Sequence, residues 1–185
     1  MPYLPYIIIG AIVLILVIYV ISTYNKLVSE RLKVDNQWSQ INIVLKQRAD
    51  LIPNVVNTVS GYAGHEKEIF TKISDARTRS ISAKNPEDGI KAAGDLSAAI
   101  GRLFAVAEAY PDLKANENFM DLQRQLSGIE KRIADFRQFY NDTVMRYNQN
   151  IVTFPSVIIA SMFKFTERPF FEVSEADTKN PEVKF

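Results

Sequence analysis

Apolar residues fall along this chain in two regimes, and the change comes near residue 25. From Tyr3 to Ile21 the sequence reads YLPYIIIGAIVLILVIYVI, 19 residues without a charge, 13 of them Leu, Ile or Val. As a helix this stretch is about 28 Å long, close to the hydrocarbon thickness of a bilayer. At roughly −0.3 to −0.6 kcal/mol per aliphatic residue, insertion is favoured by about 4–8 kcal/mol, less a discount for residues near the ends. Tyr3, Tyr6, Tyr19 and Tyr24 sit near the two ends, where amphipathic rings prefer headgroups. Pro5 falls in the first turn, which tolerates proline. A cleaved leader would need a basic start and a small-residue cleavage site. Neither pattern is found here, and a domain of this size rarely hides an all-apolar helix of such length.

From Leu27 onward the apolar spacing is that of amphipathic helices. Leu27, Val34, Trp38, Ile41, Leu45, Ile52, Val55, Val59 and Tyr62 fall on steps of three, four or seven, with Arg31 and Arg48 interrupting the seam. The membrane helix is therefore expected to continue into the water-soluble part. Pro53 lies inside this run, removes the hydrogen bond to the Ala49 carbonyl and should bend the helix there. Gly61 and Gly64 weaken it further, and Ile69, Ile73, Ala76 and Ser80 carry a second stretch toward Ser82.

Asn85-Pro86-Glu87-Asp88 reads as a helix start, with a capping residue, a proline suited to the first position and two acids at the positive end. The helix it opens buries Ala93, Leu96, Ile100, Leu103, Ala107 and Tyr110 and stops at Pro111. Three alanines with Gly94 and Gly101 are read as a close helix approach, the alternative being a flexible, weak helix. The clearest pattern is the last: Phe119, Leu122, Leu126, Ile129, Ile133, Phe136, Tyr140, Val144, Tyr147, Ile151 and Phe154 describe one helix of about 38 residues, ended by Pro155. No segment alternates with period two for long enough to make a strand. The expected fold is all-α: a transmembrane helix in residues 1–25, an elongated antiparallel bundle of three to four long helices in 26–172, and a flexible polar tail in 173–185.

Charge and composition narrow the function. The chain has 22 basic and 21 acidic residues, a balance that argues against nucleic acid as partner. It has no cysteine, which excludes thiolate metal sites and cysteine nucleophiles. Lys26, Arg31 and Lys33 follow the apolar stretch while no Lys or Arg precedes it. The positive-inside rule then puts the N-terminus outside and the bundle in the cytoplasm.

Catalytic chemistry finds little support. The one histidine, His65, with Glu66, begins like a zinc-protease helix motif, but position 69 is Ile rather than a second His. No cofactor or metal is expected. His65 is expected to hydrogen-bond near the Gly61–Gly64 bend, with Glu66 or a partner. Two readings stand for Arg48. Its stem packs and its head reaches water, or it forms a buried pair with Glu130 or Asp135 that fixes helix register. Tyr140-Asn141 and Tyr147-Asn148 lie one heptad apart. Their tyrosines are read as core residues with hydroxyls at the surface, the alternative being a recognition ladder for a partner protein. Asn116 is the cap of the last helix. After Pro155, residues 156–163 are apolar but too short to span a bilayer. They either cap the bundle end or lie against a membrane or partner.

Specific residues add to these patterns. The blocks YNKLVSERLKVDNQWSQINIVLKQRADLIPNVVNTVSGYAGHE at 24–66, LKANENFMDLQRQL at 113–126, IEKRIADFRQFYNDTVMRYNQNIVTFPSVIIASMFKF at 129–165 and FFEV at 170–173 stand in order along most of the chain. They include Trp38, Asp50-Leu51-Ile52-Pro53-Asn54, His65-Glu66, Asn116-Glu117-Asn118 and the two Tyr-Asn pairs. In these blocks the chain resembles the LemA family of bacterial membrane proteins. The resemblance implies a single membrane helix with a cytoplasmic helical bundle acting as an anchored scaffold or adaptor. The apolar helix and the heptad faces point to the lipid bilayer and further copies of the chain as partners, and the resemblance adds membrane proteins such as proteases. The sequence departs from the family pattern after Pro155, where Ser161 and Lys164 stand in place of glycines. The alternative function is a membrane-organising protein whose 156–163 segment contacts lipid or neighbouring chains.

Overall fold

The computed structural model describes residues 3–172, so the polar tail expected at 173–185 lies outside them. Six helices follow in order: α1 Leu4–Ser60, α2 Lys67–Ser82, α3 Pro86–Ala107, α4 Pro111–Lys114, α5 Glu117–Val152 and α6 Ser156–Met162. No strand occurs among the described residues, as the all-α expectation requires.

Local chemistry sets several of these boundaries. Asn85 has extended backbone angles, and its side-chain oxygen accepts from the Asp88 amide at 2.9 Å, which satisfies one of the free donors that open α3. Pro86 follows at the first helical position. Asn116 opens α5 in the same way, accepting from the Phe119 amide at 3.1 Å. Pro53 does not end α1, which stays helical over all 57 of its residues.

The chain divides into two compact units, both of which α1 and α5 enter. One unit comprises Trp38–Phe139 with Phe171. Its core joins Ile52, Val55 and Val59 of α1, Ile73 and Ala76 of α2, Leu96, Ile100 and Leu103 of α3, Leu113 of α4, and Phe119 and Leu126 of α5. Each fully buried aliphatic side chain contributes about 1.5–3 kcal/mol. Within this unit α1 and α5 run antiparallel: Gln47 meets Arg132, Arg48 meets Glu130, and Tyr62 meets Asn116. Tyr62 is nonetheless exposed, so the seam expected to end there ends at Val59.

Gly94 and Gly101 face open space, which corrects the expectation that they mark a close approach. That approach is made by buried Gly89, where an added Cβ would stand 2.6 Å from the Trp38 ring. The ring belongs to rigid, flat side-chain atoms that cannot yield by rotation of a flexible end. Gly89→Ala is therefore expected to cost about 1 kcal/mol, the overpacking strain partly offset by alanine's better helix propensity. Trp38→Leu should cancel that extra cost in a denaturation cycle.

The other unit comprises residues up to Gln37 with Tyr140–Phe170. Here Leu27 and Val34 of α1 are buried together with Tyr140, Val144, Tyr147 and Ile151 of α5 and Ile159 and Ala160 of α6. Phe154, expected to close the apolar face of the last helix, instead lies beyond α5 and is 76% exposed. The first five turns of α1 bury nothing: an 18-residue window there has mean hydropathy 2.9 and no buried residue. This helix is long and apolar enough to cross a membrane.

Candidate functional site

Three arrangements stand out, and each is contained within one unit. The first is a ladder on α5. Tyr140, Val144 and Tyr147 share one buried face of that helix. The Tyr140 hydroxyl donates to the Pro169 carbonyl at 2.9 Å, and the Tyr147 hydroxyl donates to the Thr166 carbonyl at 3.0 Å. Between them Asn148 pairs twice with Arg168. Its amide donates to the Arg168 carbonyl, and its oxygen accepts from the Arg168 amide, both at 2.9 Å. Residues 163–169 thus form a strap along the unit. Its start is held by Phe163 and Phe165 against Tyr24, with ring centroids at 4.6 and 5.8 Å, and by Arg31 over the Phe165 ring at 5.3 Å. The Arg168 guanidinium pairs with Asp35 at 2.9 Å.

This corrects the expectation that the tyrosine hydroxyls reach the surface. A buried phenol needs an acceptor, and the strap supplies main-chain carbonyls. Tyrosines and asparagine do form a ladder, but it holds this chain's own segment. Asn141 is half-buried beside it and also engaged.

Burial pushes the Tyr140 phenol up to about 12, the nearby Arg168 charge only partly offsetting it, and burial raises Tyr147 as well. A raised folded pKa keeps the contribution of the Tyr140 bond whole below the ordinary tyrosine value of about 10 and removes it as pH rises through about 12. Ultraviolet titration of phenolate in the folded chain is expected to show a late step near 12, absent in Tyr140→Phe. Titration of every tyrosine near 10 would contradict the buried geometry.

The second arrangement surrounds Arg48, which is 0% exposed on α1. One guanidinium nitrogen donates to the Glu130 carboxylate at 2.9 Å and to the Ser97 hydroxyl at 2.7 Å; the other donates to the Ala93 carbonyl at 3.0 Å. Of the two readings of Arg48 the buried pair is therefore the one realised, with Glu130 and not with exposed Asp135. Small Ala93 leaves its carbonyl within reach of the guanidinium. The Arg48 Nε is buried without a partner, beside a cavity of about 160 Å³ lined by Gly94, Arg137, Phe171 and Glu172.

The third arrangement answers the gap that Pro53 opens. With no amide hydrogen at position 53, the Ala49 carbonyl loses its helical donor. Arg77 of α2 supplies one, its Nε donating to that carbonyl at 2.8 Å. The sequence revealed the orphaned carbonyl but not the donor, and Arg77, Ser97, Arg168 and Gly89 escaped the sequence reading altogether.

The remaining candidates are not brought together. Asp50 and Asn54 are exposed on α1, and Asn118 is exposed on α5. Glu66 is half-buried at the start of α2 and makes no side-chain cap. His65 is exposed in the turn before α2. No hydrogen bond joins it to Glu66. Among the described residues no group of three His, Cys, Asp or Glu could hold a metal ion. Pro155 links α5 to α6, a corner where Val152, Phe154, Ile158 and Met162 are all exposed.

Comparison with known proteins adds relatives to this geometry. The profile described as "LemA family" matches residues 37–185. Magnetosome protein MamQ 2 of Paramagnetospirillum magneticum is 26% identical over 179 residues, covering 83% of this chain and 66% of that protein. Magnetosome protein MamQ of Magnetospirillum gryphiswaldense is 25% identical with the same coverage. Protein LemA of Metamycoplasma hominis is 24% identical over 157 residues, covering 83% of this chain and 70% of that protein. The chain thus spans just under two thirds of the length of the MamQ relatives.

Proposed function

Because the chain belongs to the LemA family, we propose that it is a membrane-anchored helical scaffold that presents its bundle to other membrane-bound or cytoplasmic proteins and to further copies of itself. The observation that carries this reading is the double character of α1. Its first five turns expose only apolar side chains, while the same unbroken helix supplies Ile52, Val55 and Val59 to a closed core. Among the described residues nothing covers the first part, and a bilayer would. The positive flank at Lys26, Arg31 and Lys33 supports a cytoplasmic bundle. The names of the MamQ relatives, as magnetosome proteins, fit a role at a membrane.

Crosslinking in native membranes, followed by mass spectrometry of the adducts, tests the proposal. Covalent dimers, larger species or defined partner adducts are expected. Monomer alone, or a chain recovered in the soluble fraction without detergent, would overturn it.

A further inference from the structure

The α5–α6 corner is placed by its contacts at one level of α1. Within its unit α5 runs antiparallel to α1: Asn148 holds Arg168, which pairs with Asp35, and two residues on Asn150 meets both Glu30 and Lys26. Each further residue of α5 climbs about 1.5 Å toward the apolar part of α1. Val152, the last residue of α5 and two past Asn150, is therefore about 3 Å nearer the end of the uncharged stretch at Asn25, and Phe154 follows in the turn beyond it. On the return, the Phe163 ring packs tilted against Tyr24 at 4.6 Å, which places the far end of α6 beside the last turn of the uncharged stretch.

What the corner shows outward is apolar. Phe154 is 76% and Met162 66% exposed, and Val152 and Ile158 are exposed beside them. The sequence has no charge from Tyr147 to Phe163 and no acid from Thr143 to Thr166. Such a patch is costly in water and carries no negative charge to be repelled by phosphate. Exposed Lys164 follows immediately, with Lys26 on the adjoining turn of α1.

We infer that this corner is a second membrane contact, in which Phe154, Ile158 and Met162 enter the headgroup–acyl boundary of the leaflet that α1 leaves at Tyr24. The inference rests on α1 crossing the bilayer, because only that puts the corner at lipid level. Side chains at this depth sit about 5–10 Å into the boundary, as those of interfacial helices do. The contact fixes the rotation of the unit about α1, since only one side of α1 carries α6.

The chain has no cysteine, so single labels can be placed at will. Full-length Phe154→Cys and Ile158→Cys, with Ile12→Cys and Gln123→Cys as references, are labelled with an environment-sensitive fluorophore. They are reconstituted at low protein density into vesicles of phosphatidylcholine and phosphatidylglycerol, with and without brominated phosphatidylcholine. Labels at 154 and 158 are expected to emit at shorter wavelength than the label at 123 and to be quenched by the brominated lipid. Labels at 154 and 158 that behave like 123, while 12 is quenched, would overturn this inference and leave the anchor standing. An unquenched label at 12 would remove the anchor and this inference with it. Shifted but unquenched labels at 154 and 158, reverting on further dilution, would assign the corner to a second copy of the chain and overturn the lipid contact.

Discussion

Glu130→Leu is expected to destabilise the bundle by about 3 kcal/mol, because it leaves the Arg48 charge buried with only Ser97 and the Ala93 carbonyl to hold it. The figure is the lower end for a broken buried pair, since two neutral acceptors remain. The reverse substitution should be much milder. In Arg48→Met the orphan is Glu130, which is 40% exposed and can turn to water. Methionine then fills the space with a flexible apolar chain. The double variant Arg48→Met, Glu130→Leu should recover most of the loss, since an apolar pair needs no desolvation of charge. Denaturant unfolding of the full chain in detergent, with the four proteins as a cycle, measures this asymmetry. Equal losses in the two single variants would show that the pair acts as an ordinary exposed ion pair.

Arg77→Met should cost about 1.5–3 kcal/mol by withdrawing a charged donor from the Ala49 carbonyl. The cause can be isolated at a different residue. Pro53→Ala restores an amide hydrogen four residues after Ala49, so the carbonyl regains its helical donor. The loss on removing Arg77 is therefore expected to shrink in the Pro53→Ala background. If Arg77→Met costs the same in both backgrounds, the guanidinium is holding α2 by packing alone. The pair explains why a proline in mid-helix is tolerated: the defect is repaired by a side chain from a neighbouring helix, 28 residues farther along the sequence.

The sequence disclosed what is local or periodic. Asn85 and Asn116 cap the helices they were expected to cap, because a cap needs only the next three residues. The long apolar stripe from Phe119 to Ile151 named its own helix, and the uncharged opening stretch named a helix long and apolar enough to cross a membrane. Arg48 stood out as a charge on an apolar seam, yet the choice between Glu130 and Asp135 needed the rotation of α5, which periodicity leaves open by one turn. Gly94 and Gly101 misled because a glycine signals a close approach only where a neighbour arrives, and the Trp38 ring arrives at Gly89. Residues 163–169 were illegible for a different reason. A strap held through main-chain atoms has no period, and its partners lie 19 to 29 residues earlier on another element.

Tyr140, Tyr147 and Asn148 each reach a peptide group of the strap. Such a clasp is indifferent to spelling: it selects an extended backbone of the right length, not particular letters. Drift at positions 166, 167 and 169 is thereby uncoupled from drift on α5, whereas Phe163 and Phe165 through Tyr24, and Arg168 through Asp35, tie the identity of strap residues to the rest of the unit.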